Sequence, residues 1–186
     1  MSNEPRFSRT RWKRLTTRPI YKNHWIELRE DQVELPNGGT TLYGVVRCGE
    51  CVGVLPFLDP ETVVLVGQYR YVAGDFFWEM PTGGMHPGET KEAAAQRELA
   101  EEVGYTAERL THLTSFHTSK SIMDETAHLL IGEGLQPVAA TSPDPTEFIE
   151  MKPFPFAEAL RMVLNGEIKD AMTIIAVLLA ARRQGM

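Results

Sequence analysis

Residues 83–105 read GGMHPGETKEAAAQRELAEEVGY, a glycine-rich loop that leads directly into an amphipathic helix. Glu89 and Thr90 are typical of a helix start, and Gly104 is typical of the position just after a helix end. Apolar residues recur at intervals of four, which places them on one face: Ala95, Leu99 and Val103. We therefore predict a helix over residues 89–103 that packs on the core along this stripe.

Acidic side chains flank the apolar stripe. A helical wheel turns about 100° per residue. On this wheel, Glu98 and Glu102 lie at the edge of the apolar stripe, whereas Glu101 lies on the opposite side of the helix, beside Arg97. Two glutamates one turn apart at an apolar seam repel each other and resist desolvation. A divalent cation would neutralise such a pair, and oxygen ligands suit Mg²⁺, with Mn²⁺ as the alternative. The other interpretation is a solvated acidic face with a structural Arg97–Glu101 salt bridge.

The composition is that of an ordinary globular chain. It has 186 residues, of which 42% are hydrophobic and 24% are charged, so disorder, collagen and a heptad rod are excluded. No apolar run reaches the roughly 18 residues that a membrane-spanning helix needs, and nothing points to secretion. We therefore expect a cytoplasmic protein with no membrane partner. Cys48 and Cys51 are too few for a disulfide framework or a four-ligand zinc site.

Charge is distributed unevenly along the chain. Residues 1–18 carry six basic side chains and one acidic one, whereas the remainder carries 13 basic and 24 acidic ones. A strongly acidic body argues against a nucleic-acid groove, which needs a basic stripe. We interpret the basic start as a solvated arm rather than a targeting segment, because it has no apolar stretch.

The rest of the chain predicts strands followed by helices. Alternating and β-branched runs predict strands at residues 25–30, 32–35, 40–47, 51–58 and 62–66, and around 110–116 and 127–132. Residues 36–39 predict a hairpin turn, residues 74–84 a functional loop and residues 142–145 a surface loop. Two further helices are predicted at 155–164 and 170–183. This order predicts the α/β class, with helices packed against a mixed sheet.

The quoted segment resembles the box of the Nudix hydrolase family. That box reads Gly, five residues, Glu, seven residues, then Arg-Glu-aliphatic-any-Glu-Glu-any-Gly-aliphatic. Every fixed position is present, and only Tyr105 stands where an aliphatic residue is usual. The resemblance implies a Nudix-type α/β/α sandwich with a small N-terminal antiparallel β subdomain. It also implies two parts, a basic arm and β subdomain at 1–50 for dimerisation and base recognition, and a catalytic domain at 51–186.

The resemblance implies roles for individual residues of the box. The family's metal ligands correspond to the side chains of Glu98, Glu101 and Glu102 and to the main-chain carbonyl of Thr82. Glu98 and Glu102 are also the catalytic candidates. The structural positions of the box correspond to Gly83, Glu89, Arg97 and Gly104, where Arg97 would hold the carboxylates in place by charge-assisted hydrogen bonds.

Flanking segments are similar to the ADP-ribose and nucleoside diphosphate sugar pyrophosphatase branch of the family. The similar segments are residues 67–71 and 78–84. By this similarity, Arg70 would bind a phosphate and Glu79 would lie beside substrate or metal. The alternative for Arg70 is a surface strand residue. In residues 115–125, Lys120 replaces the proline that marks ADP-ribose-preferring members, whereas Glu125, a substrate-binding candidate, is retained. GDP-mannose and similar substrates therefore become plausible beside ADP-ribose.

Three further candidates lie outside these segments. Glu147 resembles an additional ligand or general base of the branch, with Asp144 as the fallback and a plain polar loop as the alternative. Trp25 and Tyr43 are candidates to stack a purine base, at about 1–3 kcal/mol each, although core or interface packing is the alternative. The resemblance also implies a homodimer with composite sites.

These observations predict a Mg²⁺-dependent enzyme that cleaves a nucleoside diphosphate sugar into a nucleoside monophosphate and a sugar phosphate. One alternative is a catalytically silent Nudix module that binds ADP-ribose-like ligands. The other is a pyrophosphatase for a different nucleoside diphosphate derivative, such as a dinucleotide. The complete set of Glu98, Glu101 and Glu102 favours the enzyme, because a pure binding module does not need it.

Overall fold

The computed structural model describes residues 11–139 and 148–186, which form two compact units. The first unit consists of residues up to Gly49 together with His117–Glu125, and the second of Glu50–Phe116 and Thr126–Met186. The roles assigned above to residues 1–50 and 51–186 stay predictions.

The first unit is built on an antiparallel sheet. Strand β1 (Lys13–Lys22) pairs with β2 (Glu27–Glu34), which pairs with the first half of β3 (Thr40–Asp59). The predicted hairpin turn joins β2 to β3, and Gly38 takes the left-handed conformation, φ 81°, that this turn requires. The basic start is solvated as expected, because every residue of β1 is exposed. From residue 13 onward, however, it is a paired strand rather than a free arm, and cross-strand ion pairs such as Arg18–Glu30, at 2.9 Å, help to order it.

The second unit contains the second half of β3 and the remaining strands, except for the last residue of β7 and the first three residues of β8, which belong to the first unit. The remaining strands are β4 (Thr62–Arg70), β5 (Asp75–Glu79), β6 (Thr82–Gly84), β7 (Tyr105–His117), β8 (Met123–Pro137) and β9 (Glu150–Pro155). Strand β4 lies between β5 and β9 and also pairs with β3, while β6 pairs with β3 and β7 with β8.

Two strand predictions differ from the structure. The strands predicted at 40–47 and 51–58 are one strand, β3, in which Gly49 takes a positive φ of 94° without ending the strand. The loop predicted at 74–84 contains β5 and β6, because β4 and β3 supply backbone partners for it. Pairing with β3 and β4 is a tertiary property that the local composition of a short aromatic and glycine-rich stretch does not signal.

The predicted helices are present. Helix α1 (Lys91–Glu98) begins at Thr90, whose Oγ1 accepts a hydrogen bond from the Ala93 amide at 3.1 Å. The chain then continues as a π-helical turn over Leu99–Val103, which the sequence pattern did not predict. It ends at Gly104, in the left-handed conformation with φ 69°, whose N–H donates to the Leu99 carbonyl.

Helices α2 (Phe156–Leu164) and α3 (Ala171–Arg183) follow at the predicted places. None of the helices in the described part of the chain is long and apolar enough to cross a membrane.

Two clusters of buried side chains show how helices cover both faces of the second unit's sheet. Alternate residues of β3 and β4 pack with α2 and α3, namely Leu55, Phe57, Val63 and Leu65. The residues between them, Val52, Val54, Val64 and Val66, pack with the predicted stripe of Ala95, Leu99 and Val103. Because neighbouring residues of a strand point to opposite faces, this alternation produces a sheet between two helical layers. The predicted α/β/α class is confirmed.

Candidate active site

Strand β6 places Gly83 against the carboxylate of Glu98, the last residue of α1. A Cβ placed on Gly83 would overlap both carboxylate oxygens of Glu98, so only glycine fits at this position without displacement. Glu98 is 6% exposed. The Glu98 carboxylate therefore lies beside the Thr82–Gly83 backbone, where the resemblance places a main-chain ligand.

Arg97 ties the loop to the helix. Its guanidinium donates to Glu89 from Nε and Nη2, both at 3.1 Å, and to the Gly84 carbonyl from Nη2 at 2.8 Å. Nη1 donates to Glu98 at 2.6 Å and to Glu101 at 3.2 Å. These bonds raise the pKa of Arg97, with Glu89 as the main cause. They support the organising role that the resemblance implies for Arg97.

Glu89 is held from two sides. Besides the Arg97 guanidinium, its carboxylate accepts the His86 amide at 2.9 Å. Both interactions favour the ionised form, so the pKa of Glu89 lies below its ordinary value, mainly because of Arg97. The loop before α1 is thereby closed onto the helix that carries the other glutamates.

The π-helical turn carries the two remaining acidic candidates. Glu101 is partly exposed, and its ion pair with Arg97 confirms the predicted i, i+4 contact. Glu102 is partly buried, and its negative charge contributes to raising the pKa of Arg70, after the larger effect of Glu79. Turns of this type are frequent at functional sites, and this one sets the spacing between Glu98 and Glu102.

The donor set suits a divalent cation in its chemistry. Among the described residues, no three His, Cys, Asp or Glu side chains are gathered closely enough to hold a metal ion, and Arg97 holds Glu98 and Glu101 instead. Yet three carboxylates and a neighbouring main-chain carbonyl are the hard oxygen donors that Mg²⁺ and Mn²⁺ prefer. The Glu98 carboxylate occupies the space that a side chain at position 83 would fill, and we call this space the cradle at Gly83. This placement of a carboxylate is the structural feature that fits metal binding.

Arg70 and Glu79, two predicted substrate residues, contact each other. The Arg70 guanidinium donates three hydrogen bonds of 2.6–3.1 Å to the Glu79 carboxylate. Glu79 is almost completely buried. Both line a cavity of about 380 Å³ that also includes Thr82, Lys169 and Asp170. The cavity thus joins the predicted phosphate-binding residue to the backbone beside Glu98.

The structure adds residues that sequence reasoning missed. The Gln96 side chain makes both backbone hydrogen bonds of Ala107 on β7, at 2.7 and 2.9 Å, and so anchors α1. Buried Thr173 accepts the Met80 amide at 3.0 Å while it donates to Asp170 at 2.6 Å. Of these residues only Asp170 carried a local signal, as an N-cap residue just before α3.

The remaining predicted substrate residues belong to the first unit. Trp25 is 75% exposed, and Tyr43 contacts Trp12 edge-to-face at 6.0 Å. Glu125 accepts a hydrogen bond from Thr118 at 2.6 Å. Lys120 and Tyr43 line a cavity of about 310 Å³ within this unit. Glu147 and its fallback Asp144 lie outside the described residues.

Comparison with known proteins agrees with this geometry. Residues 49–173 match the family model described as NUDIX domain, and residues 12–46 match that of the nucleoside diphosphate sugar hydrolase N-terminal domain. The chain is 36% identical to a methanol dehydrogenase activator of Bacillus methanolicus and 34% identical to an ADP-ribose pyrophosphatase of Bacillus subtilis. Each of these alignments covers 89% of this chain and 90% of the relative. A crystal structure of an ADP compounds hydrolase superimposes with a TM-score of 0.85 over 96% of this chain and 98% of that chain, at 22% identity.

Proposed function

The chain belongs to the Nudix hydrolase family, and we propose that it hydrolyses the pyrophosphate bond of a nucleoside diphosphate sugar. The products are a nucleoside monophosphate and a sugar phosphate. The observation that carries this proposal is the group of glutamates that Arg97 binds, one of which, Glu98, lies against Gly83. The match of residues 12–46 to the N-terminal domain of nucleoside diphosphate sugar hydrolases supports the substrate class.

A divalent metal is the cofactor that Nudix hydrolases generally use, and Mg²⁺ is the proposed ion here, with Mn²⁺ as the alternative. Glu98, Glu101, Glu102 and the Thr82 carbonyl would hold it. When bound, such an ion neutralises the diphosphate and makes bound water more acidic. The chain's own contribution is to keep Glu98 beside the Thr82–Gly83 backbone through the cradle at Gly83.

Residues of the second unit supply the remaining steps of the proposed mechanism. Glu102 removes a proton from the attacking water, and Glu147 is the second candidate for this task. Arg70 donates to a phosphate of the substrate, and its bonds to Glu79 keep the guanidinium in one orientation. Catalysis then consists mostly of positioning and charge stabilisation.

The first unit is proposed to recognise the base and to form a homodimer. Trp25 and Tyr43 are the proposed stacking residues, and Glu125 the proposed polar contact. Large apolar side chains on this unit are exposed, among them Trp12, Trp25 and Leu42, as expected of a surface that a second copy covers. Light scattering coupled to size exclusion measures the predicted mass of two chains.

A substrate panel tests the proposed function. Purified protein is incubated with ADP-ribose, GDP-mannose, other nucleoside diphosphate sugars and dinucleotides in ¹⁸O-water, with Mg²⁺ or with EDTA. We expect turnover of nucleoside diphosphate sugars that EDTA stops and Mg²⁺ restores, with ¹⁸O in one phosphate product. Tight binding of ADP-ribose without turnover of any substrate would instead establish the silent module.

A further inference from the structure

A second group of chemically active side chains lies in the second unit, and none of its members is on the helix that carries the glutamates. Ser115 Oγ lies 2.9 Å from His112 Nε2 and 2.7 Å from His128 Nδ1. On the far side of His128, Nε2 lies 3.8 Å from a carboxylate oxygen of Glu50. These residues come from three strands, His112 and Ser115 from β7, His128 from β8 and Glu50 from β3.

The proton positions in this group follow from electrostatics. The Ser115 hydroxyl has one proton and therefore donates to only one of the two imidazoles. If it donates to His128 Nδ1, the neutral His128 ring carries its proton on Nε2, facing the negative Glu50. The opposite arrangement would direct an imidazole lone pair at that carboxylate. Donation from Ser115 to His128, with His112 donating to Ser115, is thus the favoured network.

The two histidines are suited to different tasks. Burial lowers the pKa of His112, and the positive charges of Lys91 and His128 lower it further, so a proton on His112 is disfavoured. His128 instead has the Glu50 carboxylate 3.8 Å from its second ring nitrogen. A proton released by Ser115 therefore goes to His128, while the His112 N–H remains directed at the serine oxygen.

We propose that Ser115, with His128 as its general base and Glu50 as a positioning residue, is a second nucleophilic site that accepts an acyl group from an activated ester. A nucleophile in hydrogen-bond contact with a base is a signature of an activated serine, and the Glu50 carboxylate, 3.8 Å from His128, acts on this base through its charge rather than through a hydrogen bond. Ser115 is exposed, so a small ester reaches it. This site is independent of pyrophosphate hydrolysis, because none of its residues belongs to the glutamate group.

The reaction balances without another reagent. Ser115 Oγ attacks the ester carbonyl carbon, its proton moves to His128 Nδ1, and the bond to the leaving alcohol breaks. His128 then gives this proton to the leaving oxygen. Water, deprotonated by the same nitrogen, hydrolyses the acyl-serine and regenerates the hydroxyl.

Acetylation by p-nitrophenyl acetate tests the proposal on the full chain. We expect a burst of about one equivalent of p-nitrophenolate, followed by a slower release as the acyl-serine is hydrolysed, and a mass increase of one acetyl group during the burst, which peptide mapping locates on Ser115. Ser115→Ala is expected to lose this label and to keep wild-type hydrolysis of nucleoside diphosphate sugars, which also shows that it folds. Ser119→Ala is the matched control and keeps the label.

Two further variants separate the roles of the other residues. His128→Gln is expected to slow labelling of Ser115 on the order of 10²-fold, the usual worth of a general base. Glu50→Gln is expected to slow it less, and Glu50→Asp is expected to restore the wild-type rate, because the negative charge beside the imidazolium is lost in the first variant and kept in the second. Acetyl groups found only on lysines, or equal labelling of Ser115 in wild type and His128→Gln, would overturn the proposal.

Discussion

Substituting Gly83 by alanine tests the geometry on which the proposed function depends. A Cβ at this position would overlap the buried carboxylate of Glu98, which also accepts a 2.6 Å hydrogen bond from Arg97. The nearest Glu98 oxygen would lie 1.9 Å from this Cβ, so restoring van der Waals contact requires Glu98 or strand β6 to move by roughly 1.5 Å. A displacement of that size at a reacting centre costs on the order of 10²-fold in rate.

The expected result is therefore a loss on the order of 10²-fold in kcat/KM at saturating Mg²⁺. Overpacking also costs about 1–3 kcal/mol of unfolding free energy, which for a chain of this size lowers Tm by about 2–4 °C per kcal/mol. Steady-state kinetics with ADP-ribose and a thermal melt measure both quantities. The variant must remain folded at the assay temperature for the kinetic comparison to count.

The neighbouring glycine provides a matched control. A Cβ on Gly84 would meet no atom within 4 Å, and its backbone is not in the left-handed region, so Gly84→Ala is expected to behave like wild type. Wild-type kcat/KM in Gly83→Ala, or an equal loss in both variants, would refute the reasoning, because contact with Glu98 would then not matter for turnover.

Three further predictions concern single side chains. Glu102→Gln is expected to abolish turnover and leave the circular dichroism spectrum and Tm unchanged; an unchanged kcat would remove Glu102 from its proposed role. Arg97 lowers the pKa of Glu89 in the folded state, so this carboxylate stabilises the fold above the ordinary glutamate pKa and stops doing so as the pH falls through the lower folded value. In thermal melts between pH 6 and pH 3, Tm should therefore decrease less in Glu89→Gln than in wild type. The same decrease in both proteins would contradict the linkage. Thr173→Val leaves the buried Met80 amide without its acceptor, at a cost of about 1–3 kcal/mol, which denaturant unfolding measures; a cost near zero would show that the backbone finds another partner.

Local patterns predicted the helix at the site because its determinants lie within one or two turns. The spacing of Ala95, Leu99 and Val103 predicted which face is buried, and the i, i+4 spacing predicted the Arg97–Glu101 ion pair. The switch from α1 to a π-helical turn could not be predicted, because residues 99–103 carry no proline or glycine that marks the change.

Contacts between secondary-structure elements escaped prediction for a different reason. Arg70 contacts Glu79 because β4 pairs with β5, which lies in residues 74–84, where a loop was predicted. The Met80–Thr173 hydrogen bond joins residues 93 positions apart. Such contacts depend on sheet register and on how α3 packs, and neither property is recorded in the local composition of the segments involved.

By itself, the sequence determined the class of fold, the family and the identity of the acidic residues on the helix, because these follow from short-range spacing and from a motif of fixed length. Only the tertiary structure decided that Glu98 lies in the cradle at Gly83, that Arg70 is held by Glu79, and that Ser115 meets two histidines from different strands. The physical reason is that a side chain's partners across a sheet are set by backbone hydrogen bonding between strands, which brings together residues that are far apart along the chain.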